Sequence, residues 1–211
     1  MFEVEYKGGN GVVISNKKTT ITVDPKLSLV GLKDLKTQDQ VQLLTENRFR
    51  VDDPEARLII ESPGEYEVGD FTIRAIAAQR HIDTSEEVKL STIYRLETTE
   101  VRVALVGNID PKLSEEQLEG LGVVDILILP VGGNGYTLDA TSAATIVRQV
   151  GPKVVIPIHY QDSGLRYEVA QDPLEYFVKE LGAPLESVTK YKIKSASVFP
   201  AVLTIMELAR I

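Results

Sequence analysis

The stretch DILILPVGGNGYTLDATSAATIVRQVGPKVVIPIHY, residues 125–160, decides the fold. Asp125 to Pro130 is an unbroken apolar run after its first residue, the mark of a strand buried on both faces. Leu138 to Val150 follows as a helix. Asp139 can cap it, apolar residues recur at 143, 146, 147 and 150, and Gly151-Pro152 stops it. Val154 to Ile158 reads as a second buried strand that delivers His159 to its end. Strand, helix and strand in close succession make a β-α-β unit with helices outside a sheet.

Upstream, the chain reads as β. Phe2 to Lys7 alternates, with Phe2, Val4 and Tyr6 on one face, and Gly8, Gly9 and Gly11 end it. Val12 to Ile14 and Thr20 to Val23 are short strands around the turn Ser15 to Lys18, and Asp24-Pro25 closes the second. Val41 to Leu44, Leu58 to Glu61, Phe71 to Ala77, Ser91 to Leu96 and Val101 to Val106 continue the series. Pro63-Gly64 and Val68-Gly69-Asp70 supply turns. Ser114 to Leu121 is a short helix with Ser114 and Gln117 in capping-box spacing. Pro173 to Leu181 is another helix, bounded by Pro173 and Gly182. Ser187 to Ile193 and Ala201 to Glu207 are expected as closing strands. Hairpins followed by β-α-β imply two mixed sheets packed together, with helices outside.

The 211 residues are 43% hydrophobic and 26% charged, which suits a single domain over residues 1–211. Net charge is −8 with no basic block, which argues against nucleic acid as a partner because counterion release needs clustered Lys and Arg. There is no cysteine, so disulfides and thiolate metal sites are excluded. No apolar run approaches the roughly 20 residues that span a bilayer, and no apolar segment follows a basic start. The expectation is a cytoplasmic protein, no membrane partner, and a homo-oligomer left open.

The 125–160 stretch resembles the C-terminal half of the UlaG-like branch of the metallo-β-lactamase superfamily: a buried strand, a Pro-x-Gly-Gly loop, a Thr-x-Asp-Ala helix start and a strand ending in Pro-x-His-Tyr. Thr22-Val23-Asp24-Pro25 is similar to the branch's strand end, Ser62 to Glu67 to its PGEYE turn, and Leu105-Val106-Gly107-Asn108 stands where the family has Gly-Asp. The resemblance implies an α/β (α+β) fold, the αββα four-layer sandwich of the metallo-β-lactamase type, with the active site where loops meet at the sheet edges. It also implies a His-x-His-x-Asp-His metal motif after Thr45. That motif is missing. Glu46 stands for the first His, Arg48 for the second, Arg50 for the metal-bridging Asp and Val51 for the last His, and Asn108 replaces the Asp that joins two metals. His159 matches the last ligand, His81 the middle one, and Asp24 a position that orients ligands.

Hydrolytic zinc needs three protein ligands and an open position. His81, His159 and Glu46 could form a one-metal set, yet two guanidiniums beside a dication oppose it by about 4 kcal/mol per unit-charge pair at 4 Å and an effective dielectric of 20. Each residue also has a plainer reading. His159 can be a hydrogen-bonded structural residue, His81 a surface residue of a polar loop, and Arg48 and Arg50 can alternate along an extended segment and face water. Gly132 to Gly135 suits a tight turn better than an anion cradle, because no Lys or Arg lies within it. Glu65 and Glu67 are expected in solvent.

Three functions follow. The favoured one is a metallo-β-lactamase-fold protein that has lost most metal ligands and serves as a non-catalytic binding or scaffold protein, with no cofactor expected. The second is a one-metal hydrolase of phosphoester, lactone or amide bonds through His81, His159 and Glu46, holding zinc or another divalent metal. The third is a phosphate- or anion-binding module using Arg48 and Arg50. The partner in each case is a small molecule or anion that the sequence does not identify.

Overall fold

The computed structural model describes residues 2–80, 90–193 and 199–211. His81 lies outside the described residues. Two sheets pack face to face. The first is built from β1 (Phe2–Gly8), β2 (Gly11–Ser15), β3 (Thr20–Val23), β4 (Val41–Leu43), β5 (Leu58–Ile60) and β13 (Tyr191–Ile193), in the order β13-β1-β2-β3-β4-β5. The second holds β6 (Gly64–Val68), β7 (Phe71–Gln79), β8 (Leu90–Glu97), β9 (Arg102–Leu105), β10 (Ile126–Pro130), β11 (Val154–Ile158), β12 (Leu185–Val188) and β14 (Thr204–Leu208), in the order β12-β14-β11-β10-β9-β8-β7-β6.

The alternation read in Phe2 to Lys7 does its expected work. Phe2, Val4 and Tyr6 are buried and meet Ile73, Leu96, Ile128 and Ile156 of the other sheet in one apolar layer. The opposite face of the second sheet carries α1 (Glu115–Leu121), α2 (Ala140–Val150) and α3 (Leu174–Leu181) over Leu127, Leu129, Val155 and Ile205. β10 is therefore covered on both faces, which is why its sequence shows no polar residue. The Ser114–Gln117 capping box forms as its spacing predicts. The Asp139 carboxylate accepts from Ser142 N at 2.7 Å and opens α2.

Three local expectations are corrected. Ser187 to Ile193 is not one strand: β12 pairs with β14 in one sheet and β13 with β1 in the other, so the chain changes sheets between them. The segment read as a Pro-Gly turn continues into β6, paired with β7 from Gly64↔Ala75 to Val68↔Phe71, with Glu65 and Glu67 exposed. Residues 47–51 are not simply extended. Asn47–Phe49 is a 3-10 turn, closed by Phe49 N to Glu46 O at 3.1 Å, which tucks the Phe49 ring into the protein.

The parallel strands β9, β10 and β11 run side by side, with Ile126 opposite Val103 and Val154. Their C-terminal ends deliver Asn108, the 132–135 loop and His159 to one rim, where ligands of open α/β sheets ordinarily bind.

Candidate functional site

The rim is built outward from Asp24, the residue after β3. It sits at φ +46°, a left-handed conformation that an Asp tolerates better than most residues. Its carboxyl accepts from Thr45 N at 2.8 Å and from Thr45 Oγ1 at 2.6 Å, fixing the exit of the parallel neighbour β4. The Thr45 carbonyl accepts from Thr92 N at 2.9 Å and from Ser91 Oγ at 3.1 Å, so one residue ties the two sheets together. Gly107 passes so close that a Cβ there would lie 2.6 Å from Thr45 Cβ, and only glycine fits. Burial pushes the Asp24 carboxyl up to about 8, against the two Thr45 hydrogen bonds.

Glu46 follows and points inward. Its Oε1 accepts from Asn108 Nδ2 at 3.1 Å. Its Oε2 lies 3.1 Å from Arg48 Nε and 3.1 Å from Arg80 Nε. Neither Nε–H is aimed at the oxygen, so these two contacts are ion pairs by distance, and the one guanidinium hydrogen bond given to Glu46 among the described residues is a long one, from Arg48 Nη2 to Oε1 at 3.5 Å. Among the described residues, Asn108 Oδ1 also has no hydrogen-bond partner. Aromatic rings hold the guanidiniums: Arg48 Cζ is 4.7 Å from the Phe49 centroid and 5.0 Å from that of Tyr136, and Arg80 Cζ is 5.6 Å from Tyr136. Arg50 goes elsewhere. It bonds Asp52 at 2.9 Å and Glu61 at 2.9 Å on the surface.

His159 leaves β11 at φ +50° and is buried. Its Nδ1 lies 2.6 Å from Asn10 Oδ1 and its backbone N–H donates to the Tyr6 hydroxyl at 3.3 Å. With an amide oxygen facing it, Nδ1 carries the proton. The rings of Tyr167 and Tyr136 stand 5.0 and 5.7 Å away. Burial, then the nearby Arg48 charge, pushes the imidazole down to about 3, so it is neutral at physiological pH. A small cavity of about 60 Å³ separates His159, Asp24 and Asn10 from Arg48. On the other side of Arg48 and Tyr136 opens a cleft of about 710 Å³ that Glu46 and Arg80 also line.

The structure thus brings together Glu46, Arg48 and Asn108, and sets His159 and Asp24 behind them. It adds Arg80, Tyr136, Asn10 and Glu168, which sequence reasoning did not single out. Arg80 precedes His81 in a loop that reads as polar surface. Asn10 and Tyr136 each sit in or beside a Gly-Gly-Asn-Gly tetrapeptide, residues 8–11 and 132–135. That repetition was the available signal.

Do these residues fit a hydrolytic metal? Both Glu46 oxygens are engaged, Oε2 by two cations. Asn108 donates its amide hydrogen to Glu46, and its Oδ1, unpartnered among the described residues, offers only a neutral, weak oxygen ligand. His159 spends only Nδ1 on Asn10 and keeps the Nε2 lone pair, a single imidazole ligand with no second one beside it among the described residues. Among the described residues no three His, Asp or Glu side chains converge as a metal-holding group. The described donors do not fit a dication here.

The family profile described as "Beta-lactamase superfamily domain" matches residues 3–159. A UPF0173 protein of Pyrococcus furiosus is 35% identical over 122 residues, 58% of this chain and 51% of that protein, so the chain aligns with about half the length of this curated relative. Among solved structures, a metallo-β-lactamase superfamily protein of Thermotoga maritima, assigned by name as a zinc-dependent hydrolase, superposes with a TM-score of 0.74 at 19% identity, covering 99% of this chain and 100% of that one. A metallo hydrolase of Ignicoccus hospitalis superposes at 0.63 with 19% identity, covering 92% and 99%. At these identities the superpositions speak for the fold. No helix among the described residues is long and apolar enough to cross a membrane.

Proposed function

Because this chain belongs to the β-lactamase superfamily, we propose that it is a member whose metal centre has become a buried carboxylate–guanidinium cluster, and that it acts as a binding or scaffold protein rather than as a metal-dependent hydrolase. One observation carries the reading: two arginine Nε atoms stand 3.1 Å from the same oxygen of Glu46. A guanidinium keeps its charge in any protein environment. The two cations therefore occupy the electrostatic role that a metal would fill beside that carboxylate, and they repel one that approaches. The one-metal alternative through Glu46, His81 and His159 would require Glu46 to release both arginines, while His159 could ligate through Nε2 without leaving Asn10.

What the residues can do without a metal follows from their chemistry. Glu46 holds Arg48 and Arg80 in fixed positions, Tyr136 and Phe49 cover guanidinium faces, and neutral His159 with Asn10 closes the rim beneath. The product is a rigid, polar floor under an open cleft, suited to recognising a ligand.

The test is a zinc titration of the full chain after dialysis against a chelator. The expected result is no saturable uptake at micromolar zinc and no turnover of bis(4-nitrophenyl) phosphate or a simple lactone. Stoichiometric zinc binding with turnover, both lost in His159→Ala, would overturn the reading.

A further inference from the structure

The cleft over the Glu46 cluster has the dimensions of a small-molecule site, about 710 Å³ against the roughly 300–1,000 Å³ usual for such sites. Its floor carries two guanidiniums, Arg48 and Arg80, and one buried carboxylate, Glu46. The third arginine of this region is spent on Asp52 and Glu61. Arg48 is held differently from an ordinary surface arginine. Phe49 and Tyr136 stand at 4.7 and 5.0 Å from Cζ, so two aromatic rings hold the guanidinium in place. Among the described residues Nη1 is paired with Glu168 alone, 3.7 Å away on a side chain that is 70% exposed. An exposed pair at that distance is weak and easily exchanged. Beside the fork the cleft wall turns apolar at Pro63, Ala77 and Leu90.

We propose that this cleft binds a small organic anion, whose phosphate or carboxylate group displaces Glu168 from Nη1 of Arg48 and whose apolar body rests on the Pro63–Ala77–Leu90 wall. A guanidinium held by two rings and by Glu46 presents its N–H donors already oriented, which suits paired contacts to an oxyanion and lowers the ordering cost of binding. Arg80, held on the same Glu46 oxygen, adds a second positive charge to the floor. The inference rests on the reading of the cluster as metal-free.

The test titrates the full chain, with its metal content determined on the same sample, with phenyl phosphate, benzoate and phenol. Both anions share the oxyanion on one apolar ring, and their relative affinities separate a phosphate site from a carboxylate site. At least one anion is expected to bind saturably while phenol does not. Arg48→Lys keeps the charge but loses the fork and should weaken binding about tenfold or more. Arg50→Lys should leave binding unchanged. Glu168→Gln, on an exposed side chain, removes the competing carboxylate and should tighten binding about twofold to fivefold. The proposal is overturned if neither anion binds the metal-free chain, if Arg48→Lys folds and binds as well as wild type, or if Glu168→Gln fails to tighten binding. A metal-loaded sample whose anion binding vanishes on chelation would instead refute the metal-free reading beneath it.

Discussion

Two buried carboxylates stand at opposite ends of the same three strands, and they are used in different ways. Asp125 precedes β10, beside the starts of β9 and β11. It accepts from Arg102 N at 3.1 Å, Arg102 Nε at 2.9 Å, Arg102 Nη2 at 3.1 Å and Lys153 Nζ at 2.8 Å. These bonds hold its carboxyl below the usual range although burial works against them. Glu46, at the opposite rim, has two cations as near but neither Nε–H aimed at it, and its partner Asn108 keeps an unpaired oxygen among the described residues. Asp125 has the geometry of a group that fixes strand ends. Glu46 has the geometry of a group that holds other side chains in place for something else.

That contrast orders the expected effects of substitution. The largest belongs to the apolar layer common to both ends. Leu129 of β10 is fully buried between sheet and helices, and Leu129→Ala should cost about 2–5 kcal/mol in denaturant unfolding. A loss under about 1 kcal/mol would mean that β10 is not central. Asp125→Asn should cost about 1.5–3 kcal/mol, since it removes charge-assisted bonds that are all formed. Because the folded pKa of Asp125 is lowered, its contribution is full above the ordinary carboxylate range near pH 4 and is lost as pH falls through the folded value. Glu46→Gln, which keeps a bond to Asn108 and gives up two unaligned ion pairs and the charge on one long Arg48 bond, should cost less than Asp125→Asn, about 0.5–1.5 kcal/mol. The reverse order in paired melts would erase the distinction between the two ends.

How much of this could be read beforehand differs between the ends as well. Residues 125–160 announce their strands, their helix and its Asp139 cap because burial and capping are local properties of sequence. The ordered match of Asp24, Asn108 and His159 to a known pattern brought the rim together. Arg80 was not legible, because its meaning comes from β7 ending opposite Glu46, a contact between residues far apart in sequence. Arg48 and Arg50 look equivalent in sequence. The 3-10 turn that buries Phe49 parts them, sending one to Glu46 and the other to Asp52. The two Gly-Gly-Asn-Gly turns make the same point: Asn10 is buried against His159, whereas Asn134 is exposed and donates to Asp172 at 3.1 Å.

The expected effect at Asp24 is the smallest at acidic pH and grows as pH rises. Its raised pKa, about 8 in the folded protein, means that its contribution is full below about pH 4 and is lost as pH rises through 8. Asn is uncharged, tolerates φ +46° and can satisfy both Thr45 groups. Asp24→Asn should therefore change stability by less than about 1 kcal/mol near pH 4 and flatten the decline in stability between pH 5 and 8. An unchanged slope across that window would show that Asp24 is ionised throughout.

The central claim is that guanidinium charge stands at Glu46, where the family resemblance implies a metal. Elemental analysis of the full chain, produced without a histidine tag and purified without added metal or chelator, measures it directly. The account predicts well under one zinc, iron or manganese per chain. One or more tightly held metals per chain, reduced in Glu46→Gln or His159→Ala, would contradict it.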